Sequence, residues 1–199
     1  MLSNATEPDF STVMSIAQGF APVSRADFQP LLLGLSCRDL AAGEAWFHAG
    51  RAEVREFFLL SGLVRLSVSD DQGREVTLGF YAGPGVLPPS ITRTKGGHSR
   101  VDATALEPTR VAGFDPALLS HTMVRNPAVQ RWGDAVLRGE LLRKADREWR
   151  LAALPAIERL MLLRQEMPGL EHRVAHRLIA SYLGVTPVTL SRLRGQLGP

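Results

Sequence analysis

The 199-residue sequence has only one cysteine, Cys37. A single thiol cannot form an internal disulfide, and by itself it cannot hold a structural zinc ion or an iron–sulfur cluster. The sequence therefore fits a reducing compartment. We interpret Cys37 as a small buried apolar residue.

Long hydrophobic runs are also absent, and no basic residue precedes Arg25. A membrane-spanning helix needs about 20 apolar residues in succession, and a secretory signal begins with a basic segment. The sequence predicts neither feature. We therefore expect a cytoplasmic protein without a membrane partner.

Acidic residues are missing from the C-terminal end, because none follows Glu171. From residue 147 onward there are eight arginines and four glutamates, whereas the whole chain has a net charge of +3. The excess positive charge is thus concentrated in the C-terminal segment, where it can attract a polyanion. The hydrophobic content of 45% is sufficient for a buried core.

Residues 63–81 have the pattern of a β-hairpin. Val64, Leu66 and Val68 alternate with polar residues, which is typical of a strand that is buried on one face only. The loop 70–73 ends in a glycine that can adopt the positive φ of a hairpin turn. A second strand is predicted at 75–81.

Other short strands are predicted on both sides of this hairpin, at 55–60, 101–106 and 109–114. Glycine and proline separate them, which favours an antiparallel roll or sandwich. The first 25 residues have poor periodicity, and they predict a loosely held arm or a short helix.

A long helix is predicted from about Pro127 to Leu151, because this stretch has no interior proline. A set of residues, most of them small or apolar, recurs at alternating intervals of four and three, a seam of the coiled-coil type that Gly139 and Asp146 weaken. The seam consists of Ala128, Trp132, Ala135, Gly139, Leu142, Asp146 and Trp149. We favour a helix that pairs with a second copy through Trp132, Ala135, Gly139, Leu142 and Trp149. The alternative is an amphipathic helix packed on its own domain.

Two short helical segments follow near the C-terminal end, one at 177–183 and one beginning at Pro187. Gly184 allows the backbone to turn between them, and Thr186 is placed to cap the second helix. Leu190 and Leu193 give that helix an apolar face for packing on the first. Such a pair is a helix-turn-helix, whose second helix can enter the major groove of DNA.

The outer face of the second helix carries residue types that bind DNA. Arginine can donate two hydrogen bonds to guanine, threonine can reach a phosphate or a base, and the helix N-terminus is partially positive. We predict double-stranded DNA as a partner, contacted by Val188, Thr189, Ser191, Arg192 and Arg194. The same spacing occurs in helical hairpins that bind no DNA, which remains an alternative.

The stretch IASYLGVTPVTLSRLR resembles the helix-turn-helix of the Crp/Fnr family of bacterial transcription regulators. Upstream, AGEAWFHAGRAEVREFFLLSGLVRLSVSDDQGREVTLGFYAGPG is similar to the cyclic-nucleotide-binding-like β-roll of that family. The resemblance covers about residues 31–193, and the two motifs stand in the family's order around a long helix.

This resemblance implies an α+β fold. Its parts would be an antiparallel, jelly-roll-like β-roll (a double-stranded β-helix), a long dimerisation helix and a small helix-turn-helix domain with little or no wing. The expected bounds are an N-terminal arm at 1–30, the roll at 31–126, the helix at 127–153 and the DNA-binding domain at 154–199.

By the same resemblance, the chain would be a homodimeric regulator that binds an inverted-repeat operator, and RNA polymerase is a further partner that the family admits. Arg192 matches the family's base-reading arginine. Thr186 and Thr189 match backbone-contacting positions, and Pro187 and Val188 match variable reading positions. Glutamate is common at the position of Val188, so the operator preference stays open.

Family members that bind cyclic AMP carry a Gly-Glu pair and a later Arg-Ser or Arg-Thr pair, which hold the ribose and the phosphate. In this chain Gly85 is followed by valine, leucine and two prolines, and Arg100 is about one residue out of place. We therefore predict no cofactor and disfavour cyclic AMP. For an unidentified effector we assign a pocket at Val86, Leu87, Arg93, Ser99 and Arg100. The cations of this region, Arg93, Lys95 and Arg100, would attract another anion or form a solvated rim.

An enzyme is the main rival from another class, since jelly-roll domains can host metal catalysis. Such a site needs clustered histidines and carboxylates, and the roll has only His48 and His98. His172 and His176 lie four residues apart, a spacing that is more often solvated than bound to zinc. The sequence predicts neither an enzyme nor a metal site. A sensor or protein-interaction module that does not read DNA remains an alternative.

Overall fold

A computed structural model of the chain describes residues 3–70 and 72–197. Asp71 of the predicted hairpin loop and both chain ends lie outside the described residues. The helices are α1 (Glu7–Gln18), α2 (Arg25–Leu33), α3 (Ser90–Arg93), α4 (Pro116–Arg125), α5 (Pro127–Ala153), α6 (Ala156–Glu166), α7 (Leu170–Arg173), α8 (His176–Leu183) and α9 (Pro187–Leu197). The strands are β1 (Ser3–Asn4), β2 (Ser36–Leu40), β3 (Ala45–Phe47), β4 (Glu56–Ser61), β5 (Leu63–Ser69), β6 (Glu75–Ala82), β7 (Gly85–Val86), β8 (Thr94–Lys95), β9 (His98–Ser99), β10 (Asp102–Ala105) and β11 (Thr109–Phe114).

The strands form two facing antiparallel sheets. One sheet has the order β1-β2-β11-β4-β7, the other has the order β3-β10-β5-β6, and β8 and β9 form a separate short hairpin. The five strands that the sequence predicts correspond to β4, β5, β6, β10 and β11, with bounds that agree within one residue. The predicted antiparallel roll and the α+β fold class are confirmed.

The hairpin between β5 and β6 forms as predicted. Gly73 has a φ of 75°, and its N–H donates to the Asp70 carbonyl over 2.9 Å. The prediction that one face of β5 is open to solvent is wrong, however. Arg65 and Ser67, on the face predicted to be open, are only 5% and 2% exposed. This face is buried because the C-terminal helices pack on this sheet.

Strand β4 is apolar on both faces because each face packs against a different core. Phe57 and Leu59 belong to the core between the two sheets. Phe58 and Leu60 belong to a second core, which the sheet shares with α1, α2 and the start of α5. A strand that is buried on both faces reads as a continuous apolar run, and this explains the sequence EFFLLS.

The N-terminal residues form two helices that are part of this second core. At the start of α2, the Asp27 side chain accepts the Ser24 N–H over 2.8 Å, and the Ser24 hydroxyl accepts the Asp27 N–H over 3.2 Å, a reciprocal cap. Val13 of α1 and Phe28 of α2 are buried. The alternative of a loosely held arm is therefore wrong, and the predicted boundary at residue 30 falls inside α2.

The two halves of α5 have different surroundings. Trp132, in the first half, is 3% exposed; its ring packs edge-on against Phe28 at 5.0 Å and stacks on Phe58 at 5.8 Å. The assignment of Trp132 to a dimer contact is therefore wrong. In the second half, Leu142 and Trp149 are each 59% exposed.

Exposure increases along the seam between Trp132 and Leu142: Ala135 is half-buried and Gly139 is exposed. The first half of α5 is thus a helix packed on its own domain, as the alternative interpretation states. The second half keeps the exposed apolar residues that the pairing interpretation requires.

A third core joins the C-terminal helices to the second sheet. It contains Leu63 and Phe80 of the sheet together with Leu160, Ile179 and Leu190 of the helices. This core places α8 against the edge strand β6. Within the described residues, no helix is both long enough and apolar enough to cross a bilayer.

Candidate nucleic-acid interface and ligand cavity

Helices α8 and α9 cross through the tight turn that the sequence predicts. Gly184 has a φ of 67°, in the left-handed region that favours glycine. The Thr186 hydroxyl accepts the Thr189 N–H over 3.1 Å, so the predicted cap is present at the start of α9. Leu190 is 1% exposed and packs in the third core, which leaves the opposite face of α9 outward.

That outward face carries most of the predicted DNA-contacting residues. Val188 is 62% exposed, and Ser191 and Arg192 lie beside it at helical spacings of three and four. Within the described part of the chain, no ion pair or side-chain hydrogen bond engages Arg192. The remaining members of this face stand at the helix start: Thr186 and Pro187 are exposed, and Thr189 is half-buried.

Arg194 is engaged inside the C-terminal domain and does not share this face. Its Nε lies 2.8 Å from Glu171, and its Nη1 lies 3.1 Å from the ring Nδ1 of His176. Glu171 also accepts a hydrogen bond from Arg164 over 2.6 Å. Burial opposes the charge of Glu171, but the two arginines hold its pKa below the usual value. The assignment of Arg194 to DNA contact is corrected, because its charge is already paired.

The first helix of the pair is attached to the roll. The Thr77 N–H on the outer edge of β6 donates to the Ser181 hydroxyl over 2.9 Å. Arg147 of α5 donates over 3.1 Å to the carbonyls of both Thr77 and Tyr182. One guanidinium therefore links α5, the roll and the helix-turn-helix.

A cavity of about 460 Å³ lies between the roll and the second half of α5; we call it the roll–helix cavity. The roll contributes Leu66, Leu78, Tyr81, Pro88, Thr92, Arg93 and Val101, and the helix contributes Arg143, Lys144, Arg147, Glu148, Leu151 and Ala152. Clefts of this size between structural elements are typical small-molecule sites.

The helix side of the roll–helix cavity is mostly cationic. The buried Glu140 pairs with Arg143 over 2.9 Å and with Lys144 over 3.4 Å. Burial opposes the charge of Arg143, but its bond to Glu140 raises the pKa above the usual value. Arg147 donates to two carbonyls and lies over the Tyr182 ring, and burial lowers its pKa. Positive charge therefore exceeds negative charge on this wall.

Known proteins support this architecture. Residues 37–126 match the family model of the cyclic nucleotide-binding domain. FixK2 from Bradyrhizobium japonicum is 23% identical, over 82% of this chain and 84% of its own, with a TM-score of 0.71. The c-di-GMP responsive global regulator CLP from Xanthomonas campestris is 17% identical, over 87% and 91%, with a TM-score of 0.68. No curated protein sequence matches the chain.

The sensor domain of the transcriptional regulator DNR from Pseudomonas aeruginosa is also similar, with 20% identity over 68% of this chain and 90% of its own, and a TM-score of 0.58. These neighbours are Crp/Fnr regulators. The chain has the Crp/Fnr fold. The resemblance that the sequence motifs indicate is confirmed at the level of the fold.

The effector pocket predicted within the Crp/Fnr roll does not form as one site. Arg93 lines the roll–helix cavity but is 2% exposed. Its guanidinium donates to the carbonyls of Pro88, over 3.1 Å, and Glu53, over 3.3 Å. It also bonds to the Arg55 carbonyl and lies over the rings of Phe47 and Phe57. Arg93 thus stabilises the roll interior, and its assignment to an anion site or a solvated rim is corrected.

The other four predicted residues do not form one pocket with the Arg93 side chain, although the Arg100 N–H donates to the Arg93 carbonyl over 2.8 Å. Ser99 is buried, and its hydroxyl donates to the Val101 carbonyl over 2.7 Å, while Arg100 is exposed. Val86 and Leu87 line a different cavity, beside the first half of α5. Sequence reasoning missed Arg143 and Arg147. Their spacing of four on the inward face of α5 would have indicated them once Trp132 was placed inward.

Proposed function

We propose that the chain is a sequence-specific, DNA-binding transcription regulator of Crp/Fnr type, a non-enzyme that acts in the cytoplasm. The observation that carries this proposal is the outward face of α9. Its capped N-terminus and its unpaired Arg192 present donors to phosphate and to base edges, and the second helix of a helix-turn-helix is the one that enters the major groove.

We further propose that two copies act together on an inverted repeat. Leu142 and Trp149 of α5 lie seven residues apart and are largely exposed, the spacing of one heptad. Pairing through this stretch would bury both side chains and would double the α9 face. A two-fold dimer matches a palindromic operator.

The effector, in this proposal, is a molecule other than cyclic AMP that occupies the roll–helix cavity. A negatively charged group is favoured there by Arg143, Lys144 and Arg147. Cyclic AMP is disfavoured because Val86 stands where the family carries its ribose-binding glutamate and because the Arg93 guanidinium is already bonded to carbonyls.

Selection of bound fragments from a genomic library tests the DNA-binding proposal. We expect enrichment of an inverted repeat and a steep loss of affinity with added salt, because phosphate contacts release counterions. If no repeat is enriched, the alternative of a sensor or protein-interaction module that does not read DNA is favoured.

Arg192→Ala gives the sharper test on the selected fragment. We expect a loss of about 1 to 3 kcal/mol and of sequence preference at about one base pair, because a bidentate contact to guanine is removed. The melting temperature should not change, since the side chain is exposed. The matched control is Arg51→Ala, which removes an exposed arginine of the roll. Equal losses in both variants would contradict base reading by Arg192.

A further inference from the structure

A second cavity, which we call the apolar cavity, lies beside the first half of α5. It has a volume of about 290 Å³ and lies between the first half of α5, helix α4 and the end of the roll that carries α3. None of its lining residues lines the roll–helix cavity. The two cavities thus have different walls, although a third cavity between them shares Val136 with the apolar cavity and Arg143 with the roll–helix cavity.

The wall of the apolar cavity is mainly aromatic and aliphatic. Phe58, Phe114, Leu119, Met123 and Val136 are among its residues. No lysine or arginine of the described residues lines it, and the ionisable groups among these lining residues are two carboxylates, those of Glu56 and Asp134. A site with this composition disfavours an anion and takes a neutral molecule, because burying an unpaired charge is costly.

Both polar groups at the α3 end of this cavity are already paired. The Glu56 carboxylate accepts the Ser90 N–H over 3.0 Å and the Ser90 hydroxyl over 2.5 Å. These two residues therefore have little capacity to bind a polar ligand. The hydrogen-bonding specificity of the cavity must come from another wall.

Trp132 supplies an unpaired donor on the α5 wall. The residue lines the apolar cavity, and its indole nitrogen is buried without an acceptor in the described part of the chain. Buried donors are nearly always paired in folded proteins. The nitrogen has almost no accessible surface, so an acceptor reaches it only when a neighbour shifts. Met123 lines the same cavity, and its unbranched thioether side chain allows such a shift.

We propose that the apolar cavity binds a neutral aromatic molecule of one or two rings whose oxygen accepts the Trp132 indole N–H. The volume suits such a ligand, since a cavity of about 150 Å³ is sufficient for benzene. The site is independent of the α9 face, so the proposal stands whether or not the chain reads DNA.

Acetophenone and α-methylstyrene are suitable probes because they have the same shape and differ in one group, a carbonyl or a methylene. In the ¹⁵N-labelled full-length protein, Trp132→Phe identifies the indole signal of Trp132 among those of the three tryptophans. We expect acetophenone to move this signal saturably and to leave the Trp46 and Trp149 signals in place. A Trp132 signal that does not move at the solubility limit of acetophenone would overturn the proposal.

The affinities of the two probes provide a second readout. Trp132→Phe should lower the ratio of acetophenone to α-methylstyrene affinity roughly 2- to 10-fold, the range for one net hydrogen bond. Comparing ratios removes the difference in hydrophobicity between the probes. An unchanged ratio would exclude the indole N–H as the donor.

Two filling variants locate the site. Leu119→Phe adds volume in the apolar cavity and should abolish binding of both probes, whereas Leu78→Phe adds the same volume in the roll–helix cavity and should leave binding unchanged. The reverse result would place the probes in the roll–helix cavity and overturn the proposal. Self-association of the protein can be measured in parallel by sedimentation. If probe binding disappears as the protein self-associates, a second copy covers the cavity, and this result too would overturn the proposal.

Discussion

The two halves of α5 bury opposite kinds of residue. In the first half, Val129, Trp132 and Val136 turn inward and join the core of their own domain. In the second half, the inward positions carry Arg143 and Arg147, while Leu142 and Trp149 turn outward.

This difference shows that one continuous helix can have two unrelated tasks. The first half stabilises the roll and the N-terminal helices. The second half places cations beside a cavity and α8, and its outward face exposes Leu142 and Trp149. In the dimer that we propose, this exposed pair would be the contact surface.

The largest expected effect contrasts the two tryptophans of α5. Trp132→Ala should lower the free energy of unfolding by about 3 to 5 kcal/mol, because it leaves a cavity beside Phe28 and Phe58. Trp149→Ala should change it by only about 0.5 kcal/mol at concentrations where the protein is monomeric. Denaturant unfolding measures both values. Similar losses in the two variants would remove the distinction between the halves.

The second effect concerns self-association. Trp149→Ala should weaken the dimer by about 2 kcal/mol, which raises its dissociation constant roughly 30-fold, because large aromatic residues dominate interfaces. Sedimentation equilibrium measures the constant. Gln130→Ala, at an exposed position in the first half, is the control and should have no effect. An unaltered constant for Trp149→Ala would place the dimer contact elsewhere.

The smallest effect tests the cationic inward face of the second half. Arg147→Gln should loosen the attachment of α8 to β6 by about 1 kcal/mol, because hydrogen bonds from a charged donor to two carbonyls are lost. The Thr77 N–H should then exchange with solvent several-fold faster, as hydrogen-exchange NMR measures. Arg138→Gln, at an exposed position of α5, provides the comparison. Equal exchange rates in both variants would contradict the role of Arg147.

The strands could be predicted from the sequence because their alternation and their glycines are local signals. Helices α1 and α2 were predicted poorly, although the reciprocal caps at Thr6–Asp9 and Ser24–Asp27 are also local. Both helices have a mixed composition, so their sequences show no clear apolar face. The buried face becomes evident only when the helices pack on the roll.

The candidate sites could be predicted only in part, because side-chain pairing depends on tertiary distance. Thr186 caps α9 as its sequence position indicates. Arg194 meets Glu171 across 23 positions of sequence, and Arg93 meets the Glu53 carbonyl across 40. No spacing rule predicts such contacts. The coiled-coil pattern likewise gives a seam on α5 without saying which half of it faces the chain's own core.

In the dimer that we propose, paired copies present two α9 faces to consecutive major grooves. Hydroxyl-radical footprinting of the wild-type protein on a selected fragment tests it most directly. We predict two protected regions on one side of the duplex, with centres about 10 base pairs apart, and weaker protection of both by Arg192→Ala at the same protein concentration. A single protected region, or an equally strong pattern with Arg192→Ala, would contradict the claim.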